Sequence, residues 1–172
     1  MVKINLKFVK NRILKLHLLR HAKTNQTSKT NRDFDRKLLK KGEKQACEMA
    51  LYLSGKINFN ETDVHCSSSL RTKQTFEIIS QKIDFPLIHF SNNLYLGSHI
   101  DLLKYVNSLN TKKDILIIGH NNGISDFATY LTGDEIYFKT CTYCYLEIDI
   151  HNWSELSKYQ GKLVNMYRPD VD

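Results

Sequence analysis

The chain has 172 residues, of which 41% are hydrophobic and 25% are charged, with only 7 Gly and 2 Pro. This composition excludes collagen-like and largely disordered chains, because it supplies enough apolar surface for the core of one domain. No run approaches the roughly 18 uninterrupted apolar residues that a membrane span needs. We therefore expect one globular domain that does not cross a membrane.

The net charge of +7 favours an anionic partner, which can be a nucleic acid, a phosphorylated substrate or an acidic protein. Most of the basic side chains are dispersed, and in residues 37–44 lysines recur at helical spacing with an acidic residue between them. No arginine-rich tract or aromatic stacking platform accompanies them. Nucleic acid is therefore the less favoured partner.

Four cysteines are too few for a disulfide-stapled secreted domain. Cys141 and Cys144 form a C-x-x-C pair, but they lie at a strand-like segment where residues three apart point to opposite faces. No second pair of ligands completes a zinc site. We interpret both as structural thiols.

The N-terminus alternates apolar and polar residues and lacks the continuous apolar stretch of a secretory signal. We expect residues 1–12 to be an N-terminal extension, residues 13–172 to form the domain, and the protein to be cytoplasmic.

Helical and strand periodicities alternate along the chain. Helices are predicted at residues 38–54, 70–83, 100–109 and 124–131. Strands are predicted at residues 13–19, 62–66, 87–90, 114–119, 142–150 and 162–167. This order predicts an α/β fold, a three-layer α/β/α sandwich around a mainly parallel sheet. Ligands of such sheets bind beyond the carboxyl ends of the strands.

Three of the predicted strands end in residues that carry chemistry. Arg20 and His21 follow the first strand, Arg71 follows the second, and His120 follows the buried strand 114–119. The two guanidinium groups can hold the oxygens of a phosphoryl group, whose transfer depends on positioning and charge stabilisation. A neutral His21 can attack phosphorus while His120 donates a hydrogen bond to a phosphate oxygen. No residues show metal-ligand spacing, so we expect no metal and no cofactor.

These segments resemble the motifs of the histidine phosphatase superfamily, which also contains the phosphoglycerate mutases. Residues 20–22 match its RHG core, with Ala in place of the usual Gly, and residues 67–75 match S-x-x-x-R-x-x-x-T. Residues 119–121 match the second histidine motif, with Asn122 where Pro is common. The resemblance spans residues 13–169 and is to the short SixA-type phosphohistidine phosphatases.

The resemblance implies a phosphoglycerate mutase-like fold, with His21 as the phosphoacceptor. It places Arg20, Arg71 and His120 in the phosphate pocket and among the catalytic residues. We also include Thr24, in the polar loop after the first strand, among the predicted substrate-binding residues.

Two further segments bear on the chemistry. Residues 35–42 match the D-R-x-L-x-x-x-G lead-in to a helix, and we interpret them as structural capping. In the short subfamily an acid that protonates the leaving oxygen is expected directly after residues 94–95, but Leu-Gly-Ser stands there. Asp101 is the nearest acid, and we interpret it as a solvent-facing helix residue. A missing acid favours a P–N or aryl-phosphate substrate over an alkyl ester.

The leading hypothesis is a metal-independent phosphatase that acts through phospho-His21 on a phosphohistidine-bearing protein. A second hypothesis is a phosphatase of a small phosphorylated metabolite or nucleotide. A third is a non-catalytic domain that binds phosphate or nucleic acid.

Overall fold

The computed structural model describes residues 13–171, so the predicted N-terminal extension, residues 1–12, lies outside the described residues. Within that range the strands are β1 (Ile13–Arg20), β2 (Thr62–Ser67), β3 (Ile88–Ser91), β4 (Asp114–Gly119), β5 (Tyr143–Asp149) and β6 (Gly161–Tyr167). The α-helices are α1 (Lys40–Leu53), α2 (Leu70–Ser80), α3 (His99–Asn107) and α4 (Gly123–Thr132).

The strands form one sheet in the order β3-β2-β4-β1-β5-β6. The pairs β1–β4, β2–β4 and β2–β3 are parallel, whereas β5 runs antiparallel to both β1 and β6. The prediction of a mainly parallel sheet between two helical layers is therefore confirmed, with β5 as its one reversed strand among residues 13–171.

Strand β4 is the centre of the core, because its four isoleucine and leucine side chains are at most 1% exposed. Alternate residues of the strand face opposite layers. Ile115 and Ile117 pack with α3 and α4, and Leu116 and Ile118 pack with α1 and α2. A strand that is buried on both faces explains the continuous apolar run in the sequence.

The segment before α1 differs from the prediction. Helix α1 begins at Lys40 instead of residue 38, because Leu38 forms a β-bridge with Thr24 and its amide donates to the side chain of Gln74. The interpretation of residues 35–42 as side-chain capping of the helix is wrong. Leu39 is the N-cap of α1 and makes no side-chain cap, while the Asp35 carboxylate accepts hydrogen bonds within its own loop.

The two cysteines of the C-x-x-C pair lie on opposite faces of the sheet, as their spacing predicts. Cys141 packs in the core under α1 and α2, and Cys144 packs in the core under α3 and α4. Burial raises the pKa of each thiol to about 12, so both are protonated at neutral pH. They are free, buried thiols, as expected of structural residues.

Two structural features are absent from the described residues. No helix among residues 13–171 has both the length and the apolar character needed to cross a membrane. No group of three or more His, Cys, Asp or Glu side chains in the same range is arranged to hold a metal ion.

Candidate active site

The parallel register brings the predicted site residues to one edge of the sheet. Arg20, at the end of β1, pairs with Gly119 at the end of β4, so the next residues, His21 and His120, are neighbours. Their ring centroids are 5.3 Å apart. A cavity of about 270 Å³ opens there, and all five predicted site residues line it: Arg20, His21, Thr24, Arg71 and His120.

His21 is held with a defined tautomer. Its ring Nδ1 lies 2.8 Å from the carbonyl oxygen of Ala22, which can only accept a hydrogen bond, so Nδ1 carries the proton. The lone pair is therefore on Nε2. Burial lowers the pKa of His21 to about 3, and the positive charges of Arg71 and Arg20 act in the same direction. At neutral pH the side chain is an uncharged imidazole, which is the form that can act as a nucleophile.

The two arginines are anchored through their Nη atoms. Arg20 donates from Nη1 to the carbonyl oxygen of Phe138 at 2.7 Å. Arg71, which is only 2% exposed, donates from Nη1 to the backbone carbonyl of Asp33 and from Nη2 to its carboxylate, at 2.7 and 2.8 Å. The Nε atoms of both arginines are buried and have no protein partner. Each guanidinium therefore keeps an unused donor.

His120 closes the other side of the cavity. Its Nε2 lies 2.8 Å from the hydroxyl of Ser67, whereas its Nδ1 is buried and has no protein partner. Burial, together with the nearby His21 and Arg71, lowers the pKa of His120 to about 2. His120 is therefore also neutral at physiological pH.

Several residues that line the cavity carry a buried nitrogen without a partner. Six buried side-chain polar atoms among the described residues lack a hydrogen-bond partner, and four of them belong to residues that line this cavity. Such atoms are rare and costly in folded proteins. These four are all nitrogens: Arg20 Nε, Arg71 Nε, His120 Nδ1 and Asn121 Nδ2. A phosphoryl group, whose oxygens are strong acceptors, suits such a site.

Thr24 lies in the cavity wall, and its hydroxyl already has a partner. Its Oγ1 accepts a hydrogen bond of 2.8 Å from Nη2 of Arg36. Arg36 also donates to the backbone oxygen of Asn25 and to the carboxylate of Asp33. The substrate-binding role of Thr24 stays a prediction.

Seven residues that line the cavity were not predicted as site residues, among them Asp33, Arg36 and Asn121. Arg36 lies in the D-R motif that we interpreted as structural, and Asn121 lies in the second histidine motif. The motifs could therefore have pointed to both residues. Asp33 has no comparable signal, because it lies in a polar loop without periodicity.

The cavity has one carboxylate among its described lining residues, that of Asp33, and it is ionised. Although burial favours its protonated form, hydrogen bonds from Arg36, Tyr95 and Arg71 hold the pKa of Asp33 well below its usual value. Asp101 does not line this cavity. It forms a capping box with Ser98 at the start of α3, in keeping with a solvent-facing helix residue.

Comparisons with known proteins agree with the motifs. The family model of the histidine phosphatase superfamily (branch 1) matches residues 16–92. An uncharacterized chloroplastic protein of Arabidopsis thaliana is 29% identical in an alignment 171 residues long. The alignment includes 91% of this chain and 78% of that protein.

Solved structures show that the fold is shared. A Nakamurella multipartitia protein assigned as the phosphohistidine phosphatase SixA has a TM-score of 0.79 at 23% identity, covering 92% of this chain and 98% of that one. The protein histidine phosphatase SixA complexed with tungstate has a TM-score of 0.76 at 20% identity, covering 90% and 97%. Residues 16–92 therefore match the histidine phosphatase superfamily, and the chain has the fold of the SixA structures.

Proposed function

We propose that this protein is a phosphatase of the histidine phosphatase superfamily and that it hydrolyses phosphohistidine on a protein substrate, without a metal ion and through a phosphorylated His21. The observation that carries the proposal is a cavity with a neutral, oriented nucleophile and, among its described lining residues, no protonated acid. The similarity to SixA structures supports a phosphorylated protein as the substrate class.

In the first step, Nε2 of His21 attacks phosphorus in line with the P–N bond of the substrate. The Nε2–P bond forms as the P–N bond breaks, and its electron pair goes to the leaving nitrogen. The unused donors of Arg20, Arg71 and His120 stabilise the charge on the phosphoryl oxygens.

In the second step, water attacks the phosphorus of phospho-His21. The Nε2–P bond breaks and its electron pair returns to Nε2, while one proton of the water stays on the phosphate and the other goes to solvent. Because Nδ1 keeps its proton on the carbonyl of Ala22, His21 leaves as a neutral imidazole.

The state of Asp33 favours a P–N substrate. An alkyl ester expels a strongly basic alkoxide and depends on a general acid, which an ionised Asp33 cannot supply. A phosphohistidine whose other ring nitrogen is protonated leaves as neutral imidazole and needs no acid from the protein. The substrate then brings the proton that the cavity lacks.

Phosphate release from a phosphohistidine-bearing protein tests the proposal. We expect the wild type to release phosphate in excess chelator, and the same rate from His151→Ala, which alters an exposed histidine. His21→Ala should release none. The wild type should also form an acid-labile, alkali-stable phosphoenzyme that His21→Ala lacks.

Two outcomes would contradict the proposal. Faster turnover of an alkyl ester such as glycerol phosphate than of phosphohistidine would instead favour a small phosphorylated metabolite. Loss of activity in chelator would overturn the metal-independent mechanism.

A further inference from the structure

Asp33 contacts the phosphate-site arginine with both its backbone and its side chain. It lies on a 3₁₀ turn, Asp33–Asp35, between β1 and α1. Its carbonyl oxygen accepts from Nη1 of Arg71 and its Oδ2 accepts from Nη2, at 2.7 and 2.8 Å. The two residues are 38 positions apart in the chain, so this pairing depends on the tertiary fold.

The Asp33 carboxylate is itself fixed from two other sides. Nη1 of Arg36 donates to Oδ1 at 2.7 Å, and the hydroxyl of Tyr95 donates to Oδ2 at 2.7 Å. The Tyr95 ring also lies over the Arg71 guanidinium, 5.6 Å from its central carbon, and meets the His120 ring edge-on. The carboxylate therefore has little freedom to leave Arg71.

The contact with Asp33 determines which N–H donors of the Arg71 guanidinium remain available to a ligand. A guanidinium has five N–H donors in a rigid planar fork. Asp33 uses one donor on each Nη atom, while the Nε–H is buried and unpaired. If the Nη edge were not held, the guanidinium could rotate about its side-chain bonds and present a different edge to the phosphoryl group.

We propose that Asp33 is a positioning residue, which holds the Nη edge of Arg71 so that its Nε edge faces the phosphoryl group. The proposal rests on the cavity being a phosphoryl site, and it deepens the proposed function by assigning a role to its ionised carboxylate. Asp33 does not donate a proton in this role.

Removing the carboxylate has two effects, which a matched pair of variants separates. Both Asp33→Asn and Asp33→Ala remove a negative charge from the cavity, which by itself favours phosphate. Asn keeps a side-chain oxygen that can accept from Nη2 of Arg71, whereas Ala does not. The difference between the two variants therefore measures the side-chain hydrogen bonds of residue 33, which include the one from Nη2 of Arg71, without the change in charge.

The experiment measures the Kd of inorganic phosphate by calorimetry, together with kcat and KM on a phosphohistidine-bearing protein. We expect Asp33→Asn to bind phosphate at least as tightly as the wild type. Asp33→Ala should bind about tenfold more weakly than Asp33→Asn, because a hydrogen bond to a charged group is lost. The KM of Asp33→Ala for the phosphohistidine-bearing protein should rise by a similar factor to its Kd for inorganic phosphate.

The control is Asp35→Ala, in the same 3₁₀ turn. The Asp35 carboxylate accepts hydrogen bonds from Thr30 and Arg32, and neither of these residues lines the cavity. Its phosphate affinity should stay within about twofold of wild type. A merely structural role for Asp33 would lower Tm in the Asn and Ala variants without separating their values of Kd.

Equal phosphate affinity of Asp33→Asn and Asp33→Ala would overturn the positioning role. The proposed function fails in a different way, through a wild type that binds phosphate and hydrolyses an aryl ester but not phosphohistidine. A wild type that binds no inorganic phosphate at millimolar concentration would overturn both.

Discussion

The hydroxyl of Ser67, the last residue of β2, lies 2.8 Å from Nε2 of His120, the residue that follows β4. This bond fixes the His120 ring from a neighbouring strand. The Ser67 side chain is fully buried, so water cannot readily replace it. The orientation of His120, which lines the cavity, therefore depends on a serine that does not line it.

Ser67→Ala should lower kcat/KM by about tenfold, because His120 loses the group that orients it and a buried ring nitrogen loses its partner. Steady-state kinetics on phosphohistidine or an aryl phosphate measures the effect. Ser69→Ala is the matched control, since its hydroxyl is also buried but lies 3.5 Å from His120. Equal losses in the two variants would contradict this role of Ser67.

The neutral histidines predict an unusual pH dependence. With pKa values of about 3 for His21 and about 2 for His120, neither side chain takes up a proton between pH 8 and pH 5.5. We therefore expect kcat/KM on phosphohistidine to rise as the pH falls through this range, because the leaving imidazole gains its own proton. A pH–rate profile, with circular dichroism at each pH, measures this.

A kcat/KM that decreases as the pH falls from 8 to 5.5 would contradict the neutral state of His21 and His120. An acid limb with an apparent pKa near 6.5 in the free protein would mean that an essential histidine is exposed enough to be protonated. Wild type and His151→Ala should give the same profile.

The sequence predicts the convergence of the site but not all of its members. The run 114–119 reads as a doubly buried strand, and β4 has those bounds. Once β4 is placed, parallel pairing brings Arg20 and His120 to one edge of the sheet. The position of Asp33 depends on contacts with residues 38 and 62 positions away, which local periodicity does not encode.

The reversed direction of β5 is a second feature that periodicity does not encode. An alternating segment predicts a strand and its buried face, but the same pattern fits a parallel or an antiparallel neighbour. Here β5 pairs antiparallel with β1, and the turn before it carries Cys141, whose amide donates to the carbonyl of His21. The backbone of His21, the proposed nucleophile, is thus held by a strand order that only the fold specifies.

Gly42 shows how closely α1 packs against the chain that follows His21. A Cβ atom at this position would lie 2.0 Å from the backbone oxygen of Lys23, which lines the cavity. Gly42→Ala should lower the free energy of unfolding by about 2–3 kcal/mol, because backbone must move to admit the methyl group. Urea denaturation measures this, and kcat/KM should fall as well.

Gly55→Ala is the control for Gly42→Ala. Its φ of +76° is strained for a residue with a side chain, but no atom lies within 4 Å of the added methyl group. It should lower the free energy of unfolding by only about 1–2 kcal/mol, with kcat/KM unchanged. Equal effects of the two variants on kcat/KM would show that the contact with Lys23 does not shape the cavity.

The burial of His17 should make the free energy of unfolding decrease at acidic pH. Its Nδ1 lies 2.7 Å from the hydroxyl of Tyr143, and burial lowers its pKa to about 3. Below pH 6.5 the unfolded chain binds a proton that the folded protein excludes, so the free energy of unfolding decreases as the pH falls toward 3. Each such histidine contributes about 1.4 kcal/mol per pH unit. His17→Gln should reduce this slope between pH 6 and pH 5, which urea denaturation at each pH measures. Equal slopes in the wild type and His17→Gln would contradict the assignment.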